Sequence, residues 1–491
     1  MTIAAARPRA TGSAATPGTV RFGRRSTRGV LLGLSGPRLV SLAVALLIVV
    51  PAVYSAGIPG VVVTAPAWGL AVAAASVSVA GRHVAEWVPV YGHWLLRRAL
   101  HQNVYGVRVL APRPAGTLAL PGDAARLRLH HDELAGAAMI HDPYANTLTA
   151  VAKVRHPSFV LQSPSDQERR VAGWGRALAT ACASGRIARV QVLERTLPDS
   201  GAGVRNHWAA RGIPGDSWAS RQYRELLEQA APATERHETT ISISLDMSRA
   251  RRAVRAEGGG VGGAAAVLRR ELTTVVAALR AAEITVEGWV DPEDLSVMLR
   301  LAYDPDAARH LDRAAIGRSV ATAGPVTVHE HLDHLRTDTG VHAVYWISEW
   351  PRSEVYPGFL STILLAAGVR RATSIVAQPL TTTEAMRAVR KERVEYQTDA
   401  AHRARIGQIT DAGAEQEWAD VTQRERDLIA GHGDLRFAGF VVVTAPDLDA
   451  LQAARSAIEQ AAVQAGCETR LLLGQQAQAF AAAALPLCRG M

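Results

Sequence analysis

The sequence predicts an α/β (α+β) chain: a two-helix transmembrane hairpin at the amino end, then two cytoplasmic half-domains of ferredoxin-like, split βαβ type. Three observations carry this. Leu39 to Gly81 contains no charged side chain. After Leu100 the patterns of strand and helix alternate, which implies layered sheets and helices. The second half of that alternation resembles the first.

The hairpin comes first. One straight helix over Leu39–Gly81 would run roughly 64 Å, against a hydrocarbon core of about 30 Å, so the segment must fold back. Gly57-Ile58-Pro59-Gly60 marks the turn. The spans read as Leu39–Ala56 and Val61–Ala80, with Pro51 and Pro66 inside them, which membrane helices tolerate. Arg21, Arg24, Arg25, Arg28 and Arg38 precede the first span, and Arg82, Arg97 and Arg98 follow the second. The positive-inside rule then predicts a multi-pass membrane protein with both termini in the cytoplasm. Trp87, Tyr91 and Trp94 recur at helical spacing and predict an interfacial segment interrupted at Pro89. A cleaved signal is the competing account, since Arg24-Arg25 precede the apolar run. The second apolar span and the poor Tyr54-Ser55-Ala56 cleavage site argue against it.

Four regions follow: a disordered basic tail over 1–30, the hairpin with its interfacial segment over 31–100, and α/β halves over 101–320 and 321–491. In the first half, Gly136–His141 and Leu148–Val154 flank the turn Asp142–Asn146 as a β-hairpin. Helices are expected at 165–184, 216–230 and 262–282, and strands at Ile187–Leu193, Thr239–Leu245 and Ile284–Trp289. In the second half the strands are Val341–Trp350, Ala372–Gln378, Phe437–Thr444 and Glu468–Leu473. Helices are expected at Glu354–Ala367, over the charged region 382–430, and at Leu448–Ala465.

Composition narrows the chemistry. The formal net charge is +9, and Lys153 and Lys391 are the two lysines. A basic surface suits anionic lipid or nucleic acid, and charge does not choose between them. Cys182, Cys467 and Cys488 are far apart, without a CxxC pair, so no disulfide framework or cysteine-rich zinc site is expected. Gly258–Gly263 is not followed by the lysine of a phosphate loop and reads as a flexible linker. Asp291-Pro292 reads as a helix start. His130-His131-Asp132-Glu133 reads as a solvated loop. No G-x-S-x-G or H-E-x-x-H motif occurs.

HEHLDHLRTDTGVH, residues 329–342, holds His329, His331, His334 and His342 with Glu330, Asp333 and Asp338 among them. These are ligand types for zinc or manganese, and a membrane-anchored metal-dependent enzyme is one reading. The other is a polar turn at Thr337–Gly340 leading into a strand, with Asp338 accepting backbone N–H bonds and Gly340 at positive φ.

His331–Gly340, with Asp333, Arg336, Asp338 and Gly340, is one of three stretches with a family likeness. The others are Glu349-Trp350-Pro351-Arg352 and Gly474–Phe480 with Ala484–Leu487, in which Gln475, Phe480, Leu485 and Pro486 stand out. Together with the charge-free hairpin they resemble a family of actinobacterial membrane proteins of conjugation and type IV-like secretion clusters. That family joins a PrgI-like hairpin to a region similar to the amino-terminal domain of TrbE/CagE-type secretion ATPases; some members carry an EccE-like type VII label. The resemblance implies a non-catalytic inner-membrane scaffold without cofactors. It would dock a separate motor ATPase and other apparatus subunits, and a homo-oligomer is compatible with it. An EccE-like type VII component is the alternative. No Walker A motif occurs in the sequence.

Overall fold

The computed structural model describes residues 22, 34–79, 81–107, 116–156, 159–198, 202–212, 215, 217–230, 235–308, 319–405 and 412–490. The long apolar segment is helical over Gly36–Ser76 (α1), with a break at Gly57, whose φ is 60° and ψ −143°. Only glycine adopts that backbone without strain. The two arms fold back on each other: Arg38 Nε donates to Ala75 O at 2.9 Å and Ser41 Oγ to Ala71 O at 2.8 Å. A Cβ on Gly60 would lie 2.5 Å from Ala52 O, so the turn closes tightly there. Most of the outer surface is exposed and apolar, including Leu46, Leu47, Tyr54, Val63 and Leu70. Among the described residues α1 is the helix long and apolar enough to cross a membrane.

Two short strands, Ser78–Val79 (β1) and Arg82–His83 (β2), lead into Val84–Ala99 (α2). This helix runs through Pro89 without the expected interruption. In the first turns of a helix the ring of proline displaces few backbone bonds. Val104–Gly106 (β3) follows.

The rest is built on one 13-stranded sheet. The first half contributes Arg128–Asp132 (β4), Ala137–Asp142 (β5), Thr147–Arg155 (β6), Pro164–Ser184 (α3) and Ile187–Pro198 (β7). It continues with Ala202–Arg211 (α4), Trp218–Ala230 (α5), Glu235–Asp246 (β8), Arg251–Ala256 (α6), Gly260–Ala281 (α7) and Thr285–Trp289 (β9). Pro292–Tyr303 (α8) leads out of it. The second half contributes Thr327–Glu330 (β10), Leu335–Arg336 (β11), Val341–Glu349 (β12), Ser361–Leu364 (α9) and Arg370–Leu380 (β13). Thr382–Arg405 (α10), Ala412–Ile429 (α11), Asp434–Ala445 (β14), Leu448–Gln464 (α12), Glu468–Leu471 (β15) and Gln476–Ala483 (α13) complete it.

Strand pairing gives β9-β6-β8-β7 in the first half and β15-β12-β14-β13 in the second, all antiparallel. Each is the order of a βαββαβ, ferredoxin-like unit, as the sequence predicts. Each also starts with a meander, β4-β5-β6 and β10-β11-β12. β7 and β13 pair antiparallel and fuse the halves into one sheet. β3, which falls inside the stretch 101–320, pairs with β10 of the second half.

Side chains alternate across the sheet as the pleat requires. Val151, Leu193, Val344, Ala372, Phe440 and Val442 enter one core shared by both halves, closed by α8 and by residues 476–487. The opposite faces carry separate cores. One lies under α3 and α7, with Leu148, Ile241, Ile243 and Leu268. The other lies under α12, with Tyr345, Val441, Val443 and Ile458. Gln191 fastens the carboxyl-terminal segment across the fusion: its side chain donates to Ser374 Oγ, Ala482 O and Leu485 O, and accepts from Cys488 N.

Several local expectations change. Glu354–Ala367 holds one helical turn, α9, because Trp350, Phe359 and Phe437 pack around Phe22 there. Phe22 is 8% exposed and buried in that cluster; the rest of the tail 1–30 lies outside the described residues. Gly258 and Gly259 form an ordered turn, with φ of 90° and 76°, and Gly260–Gly263 make the first turn of α7. His130-His131-Asp132 lies in β4, where Asp132 is buried and pairs with Arg269 at 2.6 Å. Asp291 caps α8, accepting from Asp294 N at 2.7 Å.

Candidate functional site

The stretch 329–342 forms the β10–β11–β12 meander, and its histidines part company. His329 is exposed on β10. His331 and His334 stack in the β10–β11 turn, ring centroids 4.3 Å apart. His342 is fully buried on β12: one ring nitrogen meets Thr337 Oγ1 at 2.8 Å, the other Thr444 Oγ1 at 2.9 Å. Burial, and then Arg370, push its pKa down to about 3, so the imidazole is neutral at physiological pH. Among the described residues no group of three or more His, Cys, Asp or Glu side chains is placed to hold a metal ion. The metal-enzyme reading therefore loses its geometric basis.

The acids of this stretch serve the backbone and the arginines. Asp338 accepts from Val326 N and Thr327 N at 2.8–3.0 Å, as expected of a turn aspartate, though from a neighbouring segment. Gly340 is not among the positive-φ residues. It keeps room for His342, whose ring would lie 3.3 Å from an added Cβ. Asp333 bonds His334 Nδ1 at 2.8 Å and Arg455 Nη1 of α12 at 3.3 Å. Glu330 takes Ala477 N at 3.0 Å on one oxygen and the guanidinium of Arg97 on the other. Its side chain is 1% exposed.

Arg97 belongs to α2, so this meander receives the helix that follows the apolar hairpin α1. Gly81 O accepts from Arg470 Nη2 of β15 at 3.1 Å. Trp94 lies on the Gly474 turn, its Cβ 3.2 Å and its ring 3.3 Å from where a Cβ on Gly474 would be. Ala85 and Trp94 face inward, while Val88, Tyr91, Leu95 and Leu96 are exposed. The three interfacial candidates thus divide. Trp94 is packed against the sheet edge. Trp87 is half-buried with Nε1 on Val79 O at 3.0 Å, and Tyr91 lies outward, edge-on to Trp94.

A cleft of about 440 Å³ remains between α2 and the meander, with Trp94, Arg98 and Asn103 on one side and His329, His331 and His334 on the other. Burial, then His334 and His329, hold the pKa of His331 below the usual imidazole value. Arg97, Arg98 and Gly474 escaped the sequence reading as contact residues. The signal available was the Arg97-Arg98 pair three and four residues after Trp94, on one helical face.

The other family-motif residues divide between surface and core. Arg336 is exposed on β11. Trp350 stacks on Phe22, ring centroids 5.2 Å apart, and Pro351 is packed at Gly466. Arg352 pairs with Glu349. Gln475 precedes α13 as its N-cap residue. Phe480 lies 4.7 Å from His342 and 5.0 Å from Tyr303, centroid to centroid. Leu485 and Pro486 offer backbone carbonyls to Gln191 and Ser242.

An apolar helical hairpin locked to a doubled ferredoxin-like sheet defines a class: a membrane-associated α+β protein. Within it, residues 231–347 match the family model EccE, described as "Putative type VII ESX secretion system translocon, EccE". The match runs from just before β8 through α7, α8 and the meander to Ile347 of β12, less than a third of the chain. It supports an EccE-like secretion component and falls on the type VII alternative rather than the conjugation-type reading. No curated protein matches the chain.

Proposed function

We propose that this chain is a non-catalytic membrane subunit of a type VII secretion apparatus, an EccE-like component that holds contact surfaces at the cytoplasmic face of the membrane. The observation that carries the reading is the EccE match over 231–347, which includes the meander where the membrane hairpin is attached. In this reading α1 crosses the membrane twice. Its open end, where Arg38 meets Ala75, lies on the side of α2 and the sheet. The arginines flanking both arms orient that side to the cytoplasm. Tyr91 and the exposed apolar residues of α2 lie at the headgroup layer. Other apparatus subunits, among them a motor ATPase, are the partners.

Co-purification from membranes tests the assignment. Tagged chain extracted in mild detergent is expected to bring down other membrane components of a type VII apparatus and its motor ATPase. Recovery of the chain alone, with the complex-preserving extraction verified on another subunit, would sink it. Reporter fusions at residue 30 and at the carboxyl end test the topology: both are expected to report cytoplasm.

A further inference from the structure

The sheet end at which β8 and β13 finish carries a group of uncompensated arginines. The short helix α6 turns Val254 into the core and presents Arg251, Arg252 and Arg255 outward. Arg387 and Arg390 are exposed on α10, which follows β13. The acids around them are already taken. Arg249 bridges the two elements, reaching Asp246 at 3.4 Å and Glu384 at 3.3 Å. Glu257 holds Arg270 at 2.9 Å, and Glu271 holds Arg186 at 3.0 Å. The five outward arginines form no ion pair among the described residues.

Strand register places this group relative to the apolar hairpin. The carboxyl end of β12 lies at the same sheet end as the start of β14, the end of β13, the start of β7 and the end of β8. α2 lies beside β12 in the reverse sense. Gly81, just before it, meets Arg470, which pairs with Trp346. Arg97, near its end, meets Glu330 at the level of His342. The amino end of α2, to which α1 is joined, therefore points toward the sheet end of α6 and α10.

We propose that the arginines of α6 and α10 are an electrostatic contact for the anionic headgroups of the lipid surface beside the apolar hairpin. The proposal rests on the membrane reading above and adds a second attachment to it. An arginine within a Debye length of an anionic leaflet is drawn to it, and each one strengthens association about fivefold. The hairpin keeps the group close to that surface, so the contact forms within one tethered molecule and needs no high affinity of its own. Nucleic acid fits less well. Single strands are held by aromatic stacking beside the cations, and neither α6 nor the stretch 382–394 contains an aromatic residue.

The test uses the full chain in nanodiscs of phosphatidylcholine with or without phosphatidylglycerol, with a trace of lipid carrying a quencher on its headgroup. Cys182, Cys467 and Cys488 are buried, so a fluorophore can be placed selectively at Ala256→Cys, an exposed position at the end of α6. Quenching is expected in the anionic discs. It should fall at least about threefold in 1 M salt, where the Debye length is about 3 Å. A similar fall is expected in the triple variant Arg251→Gln, Arg252→Gln, Arg255→Gln, whose exposed positions leave folding intact. A probe at Ser217→Cys, exposed beside α5 at the opposite sheet end, should stay unquenched. An unquenched Ala256→Cys probe in discs that hold the chain overturns the proposal. Equal quenching in neutral discs, a signal insensitive to salt, or equal quenching at Ser217→Cys overturns it too. Salt-sensitive capture of duplex DNA by the wild type and not by the triple variant, with the Ala256→Cys probe unquenched, assigns the group to nucleic acid instead. Incorporation into the discs reports the hairpin separately. A chain that stays outside them refutes the membrane reading and the proposal together; incorporation without quenching refutes the proposal alone.

Discussion

Replacing Arg97 by alanine is expected to release α2 from the sheet while the sheet stays folded. Glu330 would keep one partner, Ala477 N, with its side chain 1% exposed. Removing one member of a buried pair costs about 3–5 kcal/mol, because the other charge is left uncompensated. At 1.36 kcal/mol per decade, about 3 kcal/mol raises local opening roughly 100-fold. Hydrogen exchange of full-length protein in detergent reads this directly. Amides of residues 92–102 should exchange about 100-fold faster in Arg97→Ala, with those of β13 and β14 unchanged. The cycle Arg97→Ala, Glu330→Ala and the double variant should show coupling above about 1.5 kcal/mol. Unchanged exchange, or additive effects, would refute the view that this pair holds the hairpin to the soluble part.

Three further outcomes follow from packing and burial. Gly474→Ala places a Cβ 3.2 Å from Trp94 at a backbone φ of +70° and should cost about 1–3 kcal/mol in thermal stability; a neutral effect would mean that the turn relaxes freely. Gln191→Leu strips three carbonyl and hydroxyl acceptors and one backbone donor of their partner. It should cost about 2–3 kcal/mol and speed exchange at 482–488; protection equal to wild type would remove Gln191 from the fastening role. His342 titrates below its unfolded value of about 6.5. Its folded pKa of about 3 means that the unfolded chain binds the extra proton between those limits. Stability is therefore fully present above pH 6.5 and is lost as pH falls, by up to about 1.4 kcal/mol per unit for this group. Denaturant titrations from pH 7 to 5 should show that slope in wild type and a flatter one in His342→Gln.

The strand and helix alternation was legible because the strands are rich in β-branched residues and bounded by turn residues, as at Leu148–Val154 and Val341–Trp350. The turn at Gly57 was legible because a charge-free run too long for one crossing has to reverse. What the sequence hid was partnership. Glu330 looks like a metal ligand in HEHLDH, yet its counter-charge, Arg97, lies 233 residues earlier. His342 looks equivalent to its neighbours and is instead a core residue between two threonines. The expected helix at Glu354–Ala367 failed for a related reason: Phe22, remote in sequence, fills the space around Trp350 and Phe359. No local pattern encodes a contact of that range.

The duplicated fold gives the attachment of the hairpin its logic. Asp132 ends β4 as Glu330 ends β10, and each strand opens the meander of its own half. Both acids are buried, and each is clasped by an arginine. In the first half Arg269 comes from α7, the unit's own helix; in the second Arg97 comes from α2, the helix that follows the apolar hairpin α1. The equivalent position is thus internal in one copy and a mooring in the other. Arg269→Ala should therefore destabilise the first half, by about 2–3 kcal/mol for a pair that leaves Asp132 8% exposed. Exchange should quicken in the β4–β5 turn and α7. The amides of α2 should keep their protection, unlike those of Arg97→Ala. If both variants loosen α2 alike, the two acids are not separate devices, and the soluble part responds to the loss of either as one cooperative unit.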